Sequence, residues 1–131
     1  MKICVLSSGS KGNTTYIESE KVKILIDIGN SAKYVKEKLE DIGVEPEEIN
    51  AVLITHTHVD HVKGLKVFEN KYNIPVYANK QTWDAMPEQE AKISSENIKC
   101  FNPSENMEIK DFKINQKDHF IHSISDETVF F

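Results

Sequence analysis

Ala51-Val52-Leu53-Ile54-Thr55-His56-Thr57-His58-Val59-Asp60-His61 is the stretch on which the reading of this chain turns. Its opening apolar run reads as a buried strand. Three imidazoles and a carboxylate then follow within six positions, His56 to His61. Incidental histidines in a polar loop do not explain that density. His56 and His58 are two apart, so in an extended segment their rings point the same way, as chelation of one ion needs. Asp60 and His61 come where the strand gives way to a helix. The turn can direct them to the other side of the site, toward a second ion. Imidazole and carboxylate ligands suit zinc, iron or manganese.

Four side chains cannot close the shells of two ions, so further ligands are expected from later in the chain. His119 and His122 are the remaining histidines, and Asp118 and Asp126 are nearby acids. His122 is the preferred extra metal ligand. The alternative for each is a surface residue in an irregular tail. Upstream, Asp27 sits in the apolar run Ile24-Leu25-Ile26-Asp27-Ile28, where an acid needs a reason. It can bond the distal nitrogen of a ligand imidazole, or it can cap the strand end. Thr55 can orient the site in the same way, or be an ordinary strand residue. The loop Ser7-Ser8-Gly9-Ser10-Lys11-Gly12-Asn13 can bring backbone N–H groups and a side-chain amide near an anion. Ser10, Lys11 and Asn13 are its candidate substrate-facing residues. It is not a nucleotide phosphate loop, since Gly12 follows the lysine where Ser or Thr is required.

Outward from the cluster, strands alternate with helices. Strands are expected at Ile3 to Leu6, Thr14 to Glu18, Val22 to Ile28, Ala51 to Thr55 and Ile74 to Ala78. A helix is expected from Ala32 to Ile42, capped by Asn30 or Ser31 and stopped at Gly43. A helical turn is expected around Pro46, a helix from Val62 to Tyr72, and a short one from Asn79 to Met86. Glu88 to Ser95 is ambiguous. Ile98 to Phe101 and Met107 to Ile114 read as strands. The apolar ending Thr128-Val129-Phe130-Phe131 is either a strand cut as it enters a core or a final edge strand. This alternation defines an α/β protein with a mixed sheet and flanking helices.

The chain has 131 residues, enough for one domain, with 39% hydrophobic and 28% charged residues. Its formal net charge of -5 argues against loose charge-driven binding to DNA or membrane. A nucleic-acid substrate remains compatible, because bound divalent metal reverses the local sign. Cys4 and Cys100 make no disulfide framework, and Cys4 is expected as a buried thiol. No run approaches the roughly 18 apolar residues of a membrane span, and no signal peptide is expected after Met1-Lys2. A cytoplasmic location fits.

Thr55-His56-Thr57-His58-Val59-Asp60-His61-Val62-Lys63-Gly64 resembles the signature of the metallo-β-lactamase superfamily. Ser7 to Asn13, Leu25-Ile26-Asp27-Ile28-Gly29, Ile74 to Asn79 and Thr82 to Met86 are similar to its WalJ/YycJ-like branch. The likeness is good up to about residue 90. It implies an αββα sandwich of two similar halves, of which this chain is the N-terminal one, incomplete. By resemblance, His56 and His58 match ligands of one metal, and Asp60 and His61 match ligands of a second. Asp60 also matches the acid/base residue, and Asp27 an acid that supports the site. Members carry a third His in a segment that His122-Ser123-Ile124 matches only loosely. A later bridging Asp and a final His have no counterpart here.

The expectation is a divalent-metal hydrolase using zinc or manganese, with iron possible, in one or two ions. Phosphodiesters or single-stranded nucleic acid are its expected substrates. The alternative is a non-catalytic metal-binding or interaction remnant. A half-fold is expected to expose the inner face of its sheet, to be covered by a second half or in a homodimer.

Overall fold

The computed structural model describes residues 1–10, 12–102, 104–115, 120–123 and 127–131. The first sheet comprises β1 (Lys2–Ser7), β2 (Thr14–Glu18), β3 (Lys23–Ile26), β4 (Ala51–Leu53), β5 (Val76–Asn79) and β6 (Ile98–Phe101). They lie side by side in chain order. β1, β2 and β3 pair antiparallel, and β3 to β6 pair parallel. The parallel strands need crossovers. These are supplied by α1 (Ala32–Asp41), then α2 (Val59–Val62) with α3 (Leu65–Tyr72), then α4 (Lys80–Asp84) with α5 (Pro87–Lys92). The second sheet is the antiparallel meander β7 (Met107–Ile109), β8 (Phe112–Asn115), β9 (Phe120–Ser123) and β10 (Thr128–Phe130).

β4 is apolar throughout, and β3 is apolar beyond Lys23, because both their faces are buried. In β3, Leu25 joins the core shared with Val35 and Leu39 of α1 and with Leu65 and Phe68 of α3. Its neighbours Ile24 and Ile26 point the other way, into a second core. β4 divides in the same manner: Val52 faces the helices, and Ala51 and Leu53 face the second sheet. Ile109, Phe112, Ile114 and Ile121 supply the opposite wall of that second core. The inner face of the first sheet is therefore covered from within the chain, contrary to expectation. At its β1 edge it stays open, with Ile3 51% and Val5 62% exposed. The layers are helices, sheet and sheet. Every element after β6 is a strand, so the fourth layer of an αββα sandwich is not among the described elements.

Local signals act largely as expected. Ser31 caps α1 by accepting a hydrogen bond from the Tyr34 N–H, and Asn79 caps α4 through the Thr82 N–H. The turn at Pro46–Glu48 closes with the Glu48 carboxylate accepting from the Glu45 N–H at 2.6 Å. The expected strand Met107 to Ile114 is the hairpin β7–β8, and among the other boundaries that differ two position the site. β3 stops at Ile26 because Asp27 takes φ 64°, turning the chain out of the strand. The expected helix 62–72 is two helices, starting at Val59 and broken at Gly64. There the backbone runs against residues 28–32, and the Gly64 N–H donates to the Ile28 carbonyl at 3.0 Å. β10 pairs with β9 and forms the rim of the second sheet, the edge-strand alternative. Cys4, expected as a buried thiol, is half-buried against the helix-side core, and Cys100 is exposed. No helix among the described residues is long and apolar enough to cross a membrane.

Candidate metal centre

The site lies where the carboxyl ends of β3 and β4 run out together. Their parallel register pairs Ile26 with Leu53, so Asp27 is set beside the segment Ile54-Thr55-His56. The Asp27 N–H continues the ladder to the Leu53 carbonyl at 2.8 Å. Three backbone segments then cross. The Asn13 N–H donates to the Asp60 carbonyl at 2.7 Å, the Gly29 N–H to the Asn13 carbonyl at 3.0 Å, and the Ile28 N–H to the His61 carbonyl at 2.9 Å. A Cβ on Gly29 would stand 1.7 Å from the Asp60 carbonyl oxygen and 2.3 Å from the Asn13 nitrogen. Only glycine lets these segments meet.

Asp27, 4% exposed, is the hub. Its Oδ1 accepts from the Thr55 backbone N–H at 2.8 Å. Its Oδ2 accepts from the Thr55 hydroxyl at 2.5 Å and meets His61 Nδ1 at 2.7 Å. Burial pushes its carboxyl above the usual range, and the bonds from Thr55 and His61 oppose that rise. Thr55 Oγ1 also meets His56 Nδ1 at 2.8 Å. A hydroxyl has one proton to give and lone pairs to receive with. With that proton on the Asp27 bond, Thr55 accepts from His56 Nδ1–H, and His61 Nδ1–H donates to Asp27. This hydrogen-bond pattern assigns the same tautomer to both rings, leaving both Nε2 atoms with lone pairs. The ring centroids are 4.6 Å apart.

Asp27, His56 and His61 offer ligand atoms that all lie within 4.8 Å of one another. Asp60 is adjacent, its Oδ2 3.7 Å from His61 Nε2. Two imidazole nitrogens with oriented lone pairs beside carboxylates make a donor set that fits a divalent transition metal. The group opens into a cleft of about 540 Å³, lined also by Val5, Ser7, Asn13, Thr15, Ile26 and Phe131.

The other candidates fall elsewhere. His58 is exposed, and its carbonyl accepts the His61 N–H at the start of α2. Its ring is outside the ligand group formed by Asp27, His56 and His61. His122 stands on β9 between Ile121 and Ser123, both buried. Strand alternation therefore turns it to the outer face of the second sheet, where Nδ1 meets Thr128 Oγ1 at 2.8 Å. Ser10 is exposed in the loop. Lys11, Asp118, His119 and Asp126 lie outside the described residues. Asn13 lines the same cleft, with its Nδ2 3.2 Å from Asp60 Oδ2 and 3.5 Å from His61 Nε2. Sequence reading missed that contact, and it missed Gly29 and Gly64 as crossing points. The available signal was an isolated glycine directly after a strand or inside a helical pattern.

Residues 8–124 match the family model of the metallo-beta-lactamase superfamily. The chain belongs to that superfamily. Among curated proteins it is 46% identical over 85 residues to "Exodeoxyribonuclease WalJ" of Streptococcus pneumoniae, spanning 65% of this chain and 32% of that protein. It is 43% identical over 82 residues to "Exodeoxyribonuclease YycJ" of Bacillus anthracis, spanning 63% of this chain and 31% of that protein. The aligned part is thus about a third of the length of these relatives. Among solved structures, a metallo-beta-lactamase of Cronobacter sakazakii superposes with TM-score 0.71 at 13% identity. It covers 92% of this chain and 57% of its own. A subclass B3 metallo-beta-lactamase of Bradyrhizobium japonicum superposes with TM-score 0.63 at 16% identity, over 79% of this chain and 44% of its own. At such identities these two likenesses establish the fold.

Proposed function

We propose that this chain carries the metal-binding half of a divalent-metal phosphodiester hydrolase acting on single-stranded DNA. The observation that carries the reading is the buried carboxylate of Asp27. It fixes two imidazoles, one directly and one through Thr55, so that both present Nε2 lone pairs. His56, His61 and Asp60 would hold the metal, with His58 on the same loop as a further ligand. Zinc or manganese suits these donors, and iron is compatible. When bound, such an ion supplies Lewis acidity toward a phosphoryl oxygen and acidifies water. The chain's own part is orientation and proton handling. Asp27 and Thr55 hold the ring tautomers, and Asp60 accepts or returns a proton at its carboxylate. The exonuclease names of the relatives support the choice of DNA.

The test is direct. Metal-stripped chain is titrated with Mn²⁺ or Zn²⁺ by calorimetry, then incubated with end-labelled single-stranded DNA. Uptake of metal and stepwise shortening of the DNA, both abolished by EDTA, are expected. A chain that takes up neither ion overturns the reading. A second reading, a metal-binding protein without turnover, is favoured by the position of His58 and His122 outside the ligand group. Metal uptake with intact DNA would select it.

A further inference from the structure

We propose that Asn13 is the positioning residue of this centre, holding the Asp60 carboxylate against the open nitrogen of His61. The proposal rests on the metal-hydrolase reading above and deepens it. The loop residue Gly9 grips the Asn13 amide from both sides. Its N–H donates to Asn13 Oδ1 at 3.1 Å, and its carbonyl accepts from Asn13 Nδ2 at 3.0 Å. A flipped amide would set donor against donor and acceptor against acceptor, so the orientation is determined by Gly9.

Nδ2 has a second hydrogen, and it faces the metal turn. Asp60 Oδ2 and the Asp60 carbonyl each lie 3.2 Å from Nδ2, and His61 Nε2 lies at 3.5 Å. His61 donates through its other nitrogen to Asp27, so Nε2 carries a lone pair there. One fixed donor therefore faces a carboxylate oxygen and an imidazole lone pair together. The backbone doubles the link, with the Asn13 N–H donating to the Asp60 carbonyl at 2.7 Å. The loop itself is held in shape. Gly12 sits at φ 133°, where a Cβ would meet the Gly29 carbonyl at 2.7 Å. A side chain bound to Gly9 on one side and to Asp60 on the other stops the carboxylate from rotating away.

The experiment compares Asn13→Ala, Asn13→Asp and Ser7→Ala with wild type, each as the full chain stripped of metal. Asn13→Asp keeps the acceptor for the Gly9 N–H and the main-chain Asn13 N–H bond to Asp60, but turns the donor that faces the Gly9 carbonyl and Asp60 into an acceptor. Ser7→Ala loosens the same loop through the lost Ser7 hydroxyl bond to the Gly12 carbonyl, without touching Asp60. Both Asn13 variants are expected to bind Mn²⁺ or Zn²⁺ about 10–100-fold more weakly, the usual cost of losing a group that orients a ligand. Ser7→Ala is expected to bind as wild type. A crystal structure of metal-stripped Asn13→Ala is expected to show Asp60 turned from His61. An Asp60 that stays in place there, an unchanged affinity in either Asn13 variant, or an equal loss in Ser7→Ala would each overturn the proposal. A wild-type chain that takes up no metal defeats the hydrolase reading, while the crystallographic comparison still decides the role of Asn13.

Discussion

Thr55 carries more of the site than its side chain suggests. Its hydroxyl lies between His56 and Asp27, and its backbone N–H holds the other Asp27 oxygen. Thr55→Val keeps the shape and removes the hydroxyl, so His56 Nδ1 loses its acceptor while the Asp27–His61 contact remains. Asp27→Asn disturbs both rings. Each variant is expected to weaken Zn²⁺ binding by about 10–100-fold, with Asp27→Asn the worse. Calorimetry gives the order, and imidazole ¹⁵N shifts report which ring has lost its tautomer. Wild-type affinity in Thr55→Val would remove Thr55 from the account. These roles were half legible in the sequence. An aspartate in an apolar run and three histidines after a strand announced themselves as residue types out of place. The contact of Asn13 with Asp60 did not, because it spans 47 positions and depends on how two loops cross. His122 misled for a different reason. Its chemistry suited a ligand, but the parity of β9 turns it to the outer face, and parity becomes readable only once the strand's buried side is known.

The elements around the site end where backbones collide, and this makes α2 and α3 two helices. The hydrophobic pattern from Val62 to Phe68 reads as one helix, and it is correct about the buried face: Val62, Leu65 and Phe68 all enter the helix-side core. It carries no information about a second chain segment pressed against the helix at Gly64. In an exposed helix, replacing glycine by alanine stabilises by about 1 kcal/mol. Here the sign should reverse. A Cβ at position 64 would stand 2.1 Å from the Asn30 carbonyl oxygen and 3.0 Å from the Ala32 nitrogen, both backbone atoms that cannot swing aside. Gly64→Ala is expected to destabilise the chain by about 1–3 kcal/mol, as overpacking does. The strand of backbone it displaces, residues 28–30, also bonds the His61 carbonyl, so metal affinity should fall with stability. Urea unfolding and calorimetry on one preparation would check both. A variant more stable than wild type would show that the junction yields.

Over the whole molecule the question is whether the second sheet is an appendage or the cover that makes the first sheet a folded unit. The burial pattern argues for cover. Ile17, Ile24 and Leu53 on the inner face are as fully buried as Leu25 and Phe68 on the helix side. Their partners are Ile109, Phe112, Ile114 and Ile121 of the second sheet. Phe112 is among the largest fully buried side chains of the molecule. Phe112→Ala should cost about 3–5 kcal/mol, transfer and cavity terms together. If the two sheets share one cooperative core, the loss appears as a lower urea midpoint in a single transition, coincident by fluorescence and circular dichroism. Metal affinity should hold under native conditions, because Asn13, Asp27, Thr55 and His56 sit on loops beside the first sheet and Asp60 and His61 sit on α2, none of them on the second sheet. A biphasic curve would make the second sheet a separate unit. Loss of metal binding in the folded variant would instead mean that the ends of β3 and β4 are held in register from below, by the sheet packed beneath them.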